Sequence, residues 1–165
     1  MNNNQPTKDE EKMTSGEAIV SLVKKNCVLF NDPEGRNYAK FSVKSHKEIY
    51  PLDSQDFIDI VSYWNYKNTG KGISKSSMEV AMATINAIAR HDGDTHSVYI
   101  RTAQIDQSIY IDLCDERWRC IKVTRENITV IDDSPVLFTR TGNMKTLPIP
   151  SNNIDYSTAK DGIKL

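Results

Sequence analysis

From Ser97 to Thr139 the chain is a series of short β-favouring runs cut by turn residues. Val98-Tyr99-Ile100-Arg101 is the first run, and Ser108 to Leu113 the second, with Asp106-Gln107 as the turn between them. Arg119 to Thr124, Asn127 to Ile131 and Val136 to Thr139 follow at short intervals. Such short connections favour antiparallel pairing between neighbours. The C-terminal part is therefore expected to be an antiparallel β meander, closed by an extended Thr146-Leu147-Pro148-Ile149-Pro150 segment.

Upstream the pattern differs. Thr14 or Ser15 can cap a short helix, with Glu17 in its first turn and Ala18, Ile19, Leu22 and Val23 at helical spacing. Cys27 to Phe30 reads as a strand, and Asn31-Asp32-Pro33-Glu34-Gly35 as its turn. Tyr38, Lys40, Ser42 and Lys44 alternate with Ala39, Phe41 and Val43, the period of a half-buried strand. Glu48-Ile49-Tyr50 adds a third strand ending at Pro51. Two amphipathic helices follow. One opens at Asp53-Ser54, with Phe57, Ile60, Val61 and Trp64 on one face, and ends at Gly70 and Gly72. The other starts near Ser74 and stops at His91-Asp92-Gly93-Asp94, with Gly93 as its terminator. The fold class is α+β: a small N-terminal antiparallel β unit, a helical hairpin and the meander. Residues 1–12 are expected to be a disordered lead-in, 13–150 a single domain and 151–165 a flexible tail.

The chain has 165 residues, 38% hydrophobic and 26% charged, which suits one folded core. Lys and Arg number 21 against 22 Asp and Glu, for a net charge of -1. That excludes a protein that holds nucleic acid by bulk positive charge, but not a local basic face. No apolar stretch approaches a membrane span, and the polar MNNNQPTKDEEK start has no signal-peptide core. Three cysteines, Cys27, Cys114 and Cys120, without a signal argue for thiols rather than disulfides. No membrane partner is expected, and the expected compartment is the cytoplasm.

Motifs for chemistry are scarce. There is no phosphate-binding glycine loop, dinucleotide fingerprint or nucleophile elbow. Asn68-Thr69-Gly70-Lys71-Gly72 follows a helix and reads as an interhelical turn. Asp112, Asp115, Glu116, Asp132 and Asp133 are candidates for Mg²⁺, but nothing in their spacing makes them converge. His91 and His96 lack ligands at metal spacing. The suggestive features are basic. Arg36, Lys40, Lys44 and Lys47 spread over the N-terminal hairpin beside Tyr38. Arg117, Arg119, Lys122 and Arg125 surround Trp118. Cations beside an aromatic are what single-stranded nucleic acid binding uses; the ordinary alternative is a solvated strand with a buried Trp.

The stretches Ser97-Val-Tyr-Ile-Arg101-Thr-Ala, Ile109-Tyr-Ile-Asp112-Leu and Trp118-Arg119-Cys-Ile-Lys122-Val-Thr resemble a region of phage- and plasmid-type primase–helicase proteins and related ATP-binding proteins. Ser134-Pro135-Val-Leu-Phe138-Thr-Arg140-Thr-Gly142-Asn-Met144, the Leu147-Pro148-Ile149-Pro150 exit and Tyr50-Pro51-Leu52 with Ser54 and Phe57 extend the likeness over residues 27–150. In that family the region precedes a P-loop ATPase domain. No such motif follows Pro150, and Glu126-Asn127-Ile128 stands where the family has a Gly-Trp pair.

The resemblance implies a non-catalytic accessory module of a mobile-element DNA-replication protein, with no cofactor. Its partners would be DNA or a neighbouring replication ATPase, helicase or primase domain. Arg101, Arg117, Arg119, Lys122 and Arg140 are the expected phosphate contacts, with Trp118 as a stacking residue. The alternative is a protein–protein interaction domain without nucleic-acid binding. A third reading is a Mg²⁺-dependent nucleic-acid enzyme using Asp112, Asp115 and Asp132.

Overall fold

The computed structural model describes residues 13–150. The expectations for residues 1–12 and 151–165 lie outside these. The described chain divides into two compact units, residues 13–43 with 48–97, and residues 44–47 with 98–150.

In the first unit, helix α1 (Ser15–Asn26) starts at a capping box. Glu17 N donates to Thr14 Oγ1 (3.3 Å) and Thr14 N donates to Glu17 Oε2 (2.7 Å), satisfying two amides that the helix leaves open. Strands β1 (Val28–Asn31), β2 (Asn37–Val43) and β3 (His46–Pro51) form a sheet in that order. Helix α2 (Gln55–Thr69) is capped by Ser54 and ends at Gly70, whose φ of 68° suits a residue without Cβ. Helix α3 (Lys75–His91) is capped by Ser74 and packs most extensively on α1. The core joins Ile19 and Val23 of α1, Ala39 and Phe41 of β2, Phe57 and Val61 of α2, and Ala81, Ile85 and Ala89 of α3. Burying a side chain as large as Phe57 stabilises by about 2–3 kcal/mol.

Two readings of this unit need correction. Tyr38 does not face outward with Lys40 and Lys44. It is 3% exposed, stacks on Phe30 at 5.4 Å, and donates its hydroxyl to Asp32 at 3.0 Å. Lys44 lies past the end of β2 with φ of 52°, so the strand alternation stops before it. Gly93 is no left-handed helix terminator either: Asp92 caps α3, and the positive-φ glycines are Gly35 and Gly70.

In the second unit, β5 (Thr102–Ile105), β6 (Ser108–Asp112), β7 (Cys120–Val123) and β8 (Ile128–Ile131) form the expected antiparallel meander. Strand β4 (Val98–Ile100) is separated from β5 by Arg101, whose φ is 64°. It pairs with β9 (Leu137–Thr139) in parallel, Val98 opposite Leu137, where antiparallel pairing was expected. Ala103, Tyr110 and Cys120 of the meander pack with Val136 and Phe138 to make this unit's core. No helix among the described residues is long and apolar enough to cross a membrane.

Candidate functional site: an arginine–carboxylate cluster

Strand β6 alternates Tyr110 and Asp112 onto the core face, so a carboxylate is carried inward at the strand's end. The side chain of Asp112 is 2% exposed. A charge so buried needs a matched partner, and Arg140, just past β9, supplies it. Arg140 Nη2 donates to Asp112 Oδ1 (2.6 Å) and Nε to Oδ2 (2.8 Å), a bidentate pair. Arg140 Nη1 donates to the Asp115 carbonyl (2.6 Å), and the guanidinium lies 4.0 Å from the Trp118 ring centroid. Cys114 completes the shell: its N donates to Asp112 Oδ1 (2.9 Å) and its Sγ to Oδ2 (3.2 Å). All four acceptor positions of the carboxylate are thus filled.

A second pair stands beside the first. Arg119 Nε donates to Asp115 Oδ2 (2.6 Å), and Arg119 N to Oδ1 (3.0 Å). Arg101 donates to the carbonyls of Asp112 (3.2 Å) and Lys145 (2.9 Å). The segment after β9 is tied in by Thr146 Oγ1 to Cys114 O and Leu147 N to Leu113 O, both 2.9 Å. Five non-glycine residues have positive φ among those described, and Arg101, Cys114 and Trp118 of this cluster are three of them. Each costs about 1–2 kcal/mol relative to ordinary backbone. Such residues persist where their surroundings over-determine them, and here the bonds named above, with the bond from Trp118 N to the Asp115 carbonyl (3.2 Å), do so.

The electrostatics follow from the geometry. Burial pushes the Asp112 carboxyl up, but bonds from Arg140 and the Cys114 amide outweigh it and hold it below the usual range. Asp115 is lowered in the same way, burial being outweighed by the Arg119 amide and guanidinium. The Cys114 thiol is pushed up to about 11 by burial, with Asp112 adding to the effect. It is a protonated thiol at neutral pH, not a nucleophile.

The six residues read as nucleic-acid contacts therefore divide. Arg101, Trp118, Arg119 and Arg140 are brought together, but by bonds and stacking inside the protein. Arg117 points out, paired with Asp132 at 3.0 Å where the two side chains are 62% and 69% exposed. Lys122, opposite Tyr110 on the sheet, holds its Nζ 6.0 Å from that ring. The Mg²⁺ reading finds no support in this arrangement. Asp112, Asp115 and Asp132 each face a different arginine, and no metal-binding group of three or more His, Cys, Asp or Glu occurs among the described residues. The sequence offers Asp115 only as a Mg²⁺ candidate and Cys114 only as a thiol; their role as partners that organise the cluster is marked by no periodicity.

Comparison of the chain with protein-family models, with curated proteins and with solved structures gives no match.

Proposed function

We propose that this chain is a binding module that acts by docking on a protein, a helicase or primase domain, in the setting of mobile-element DNA replication. The setting rests on the resemblance of residues 27–150, and a cytoplasmic location is part of the same proposal. The choice of protein over DNA rests on one observation: Arg101, Arg119, Arg140 and Trp118 are already engaged within the fold. To reach a phosphate, Arg119 or Arg140 would have to leave its carboxylate, and an unpaired buried charge is costly. Contact rather than bond chemistry is supported by the protonated Cys114 thiol and by two carboxylates held ionised and bonded.

The second reading, DNA contact through Arg117, Lys122 and Arg125, is favoured by the exposure of Arg117 and Arg125. Fluorescence anisotropy with labelled single- and double-stranded DNA across a salt series separates the two. Calorimetry against the purified helicase or primase of the same element completes the test. The expected result is saturable protein binding that survives Arg117→Ala, Lys122→Ala and Arg125→Ala together. DNA binding that falls linearly in log salt, and is abolished by that triple variant, would replace the docking reading with the DNA one.

A further inference from the structure

Helix α2 has two unlike faces. Phe57 and Val61, both 0% exposed, lie on the core side with Ile60 and Trp64. Asp56, Asp59, Tyr63, Tyr66 and Lys67 are exposed. At about 100° per residue these five fall in one stripe along the helix. Tyr63 and Tyr66 are 59% and 57% exposed. Neither hydroxyl has a hydrogen-bond partner among the described residues. Aromatics of this kind are the side chains that protein interfaces concentrate at their centres.

The charges flanking the rings are segregated along the axis. Both carboxylates lie toward the N-terminal end and Lys67 toward the C-terminal end. Lys71 is drawn back over the last turn, where its carbonyl accepts from Asn65 Nδ2 (2.9 Å) and its N donates to Thr69 Oγ1 (3.1 Å). Such a stripe is complementary to itself when turned end for end. Residues 59 and 67 lie equally far from 63 along the helix, so a two-fold axis near Tyr63 sets acids of one copy level with lysines of the other. A polyanion laid on the same stripe would meet Asp56 and Asp59, which disfavours nucleic acid as the occupant.

We propose that the chain self-associates through this stripe as an isologous dimer of antiparallel α2 helices. Tyr63 and Tyr66 form its centre, and Asp56 and Asp59 of one copy face Lys67 and Lys71 of the other. This does not depend on the helicase or primase reading.

Sedimentation velocity of the full chain over a concentration series tests it. A monomer–dimer equilibrium that weakens as salt rises is expected. Tyr63→Ala with Tyr66→Ala should abolish the dimer while leaving helicity, and the melting temperature at concentrations where the wild type is monomeric, unchanged, because both side chains are exposed. Asp56→Lys with Asp59→Lys should be monomeric alone, as should Lys67→Glu with Lys71→Glu. An equimolar mixture of those two variants should dimerise again, since an all-positive stripe then meets an all-negative one. A wild-type chain that stays monomeric throughout would overturn the proposal. So would a dimer indifferent to these changes, or charge variants that fail to rescue each other. Binding of labelled single-stranded DNA that is lost with the two tyrosines, by a monomeric chain, would make nucleic acid the occupant instead.

Discussion

Replacing Arg140 by Ala is expected to destabilise the C-terminal unit by about 3–5 kcal/mol, the cost of removing one partner from a buried ion pair. The cause is what remains: Asp112, 2% exposed at its side chain, keeps the Cys114 amide and thiol but loses the guanidinium that grips its carboxylate. Arg140→Lys should rescue little, because an ammonium can neither grip both carboxylate oxygens in one plane nor lie flat on Trp118. Hydrogen exchange reads the effect locally. Amides of β6 and β7 should lose protection while those of α3 keep theirs; equal protection in the variant and wild type would show that the pair holds nothing together. The pH dependence carries a sign. The folded Asp112 carboxyl sits below its ordinary value, so its stabilisation is present above the unfolded value of about 4 and is lost as pH falls below it. Without Arg140 only the two Cys114 bonds oppose burial, so the carboxyl moves up, and the rise of stability with pH through that range should be smaller in the variant than in the wild type.

Gly93→Ala is expected to cost the N-terminal unit about 3 kcal/mol, the upper end of what a forced methyl does in a tight site. A Cβ there would fall 2.8 Å from the Leu29 carbonyl oxygen and 2.9 Å from the Phe30 Cα, and closer still to the Ala89 carbonyl. All three are backbone atoms, so no side chain can swing aside. The glycine also sits in a web around Asn31, whose Nδ2 donates to the carbonyls of Ala89 (3.0 Å) and Gly93 (3.2 Å). Thr95 donates its hydroxyl to Asn31 Oδ1 at 2.8 Å. Thermal melting should show a fall of roughly 12 °C or more. Gly72→Ala is the control: nothing lies within 4 Å of its added Cβ, and no positive φ strains it. If both variants melt alike, close approach at residue 93 is not what the glycine provides.

Local pattern carried much of this fold. Ser54 and Ser74 were legible as helix starts because a hydroxyl there meets open amides, and β6, β7 and β8 as short β-favouring runs cut by turn residues. Strand β5 was missed. Thr102-Ala103-Gln104-Ile105 buries only Ala103, so its alternation is faint, and the turn in chain direction at Arg101 has no glycine to announce it. The parallel β4–β9 pairing was illegible for another reason: partners far apart in the chain leave no local trace. The candidate site shares that limit. Arg101, Trp118, Arg119 and Arg140 were picked for their type and do converge, but residue type does not reveal whether a guanidinium meets a phosphate or a carboxylate of its own chain. Asp112 and Arg140 are 28 residues apart, and only the folded sheet brings them together. Tyr63 and Tyr66 were within reach: they fall outside the apolar spacing of Phe57, Ile60, Val61 and Trp64.

The β4–β9 pairing also orders events in time. The four meander strands join through short turns and can zip up as soon as Ile131 is available, with small loop-closure entropy. Strand β4 precedes them all, yet its ladder waits for Leu137 to Thr139. On a growing chain, the first-made strand of this unit is therefore the last to find its partner. Its backbone, and the core face that Phe138 covers, stay open until Arg140 arrives to clasp Asp112. Chains ending before residue 140 would carry a finished meander with an unsealed edge.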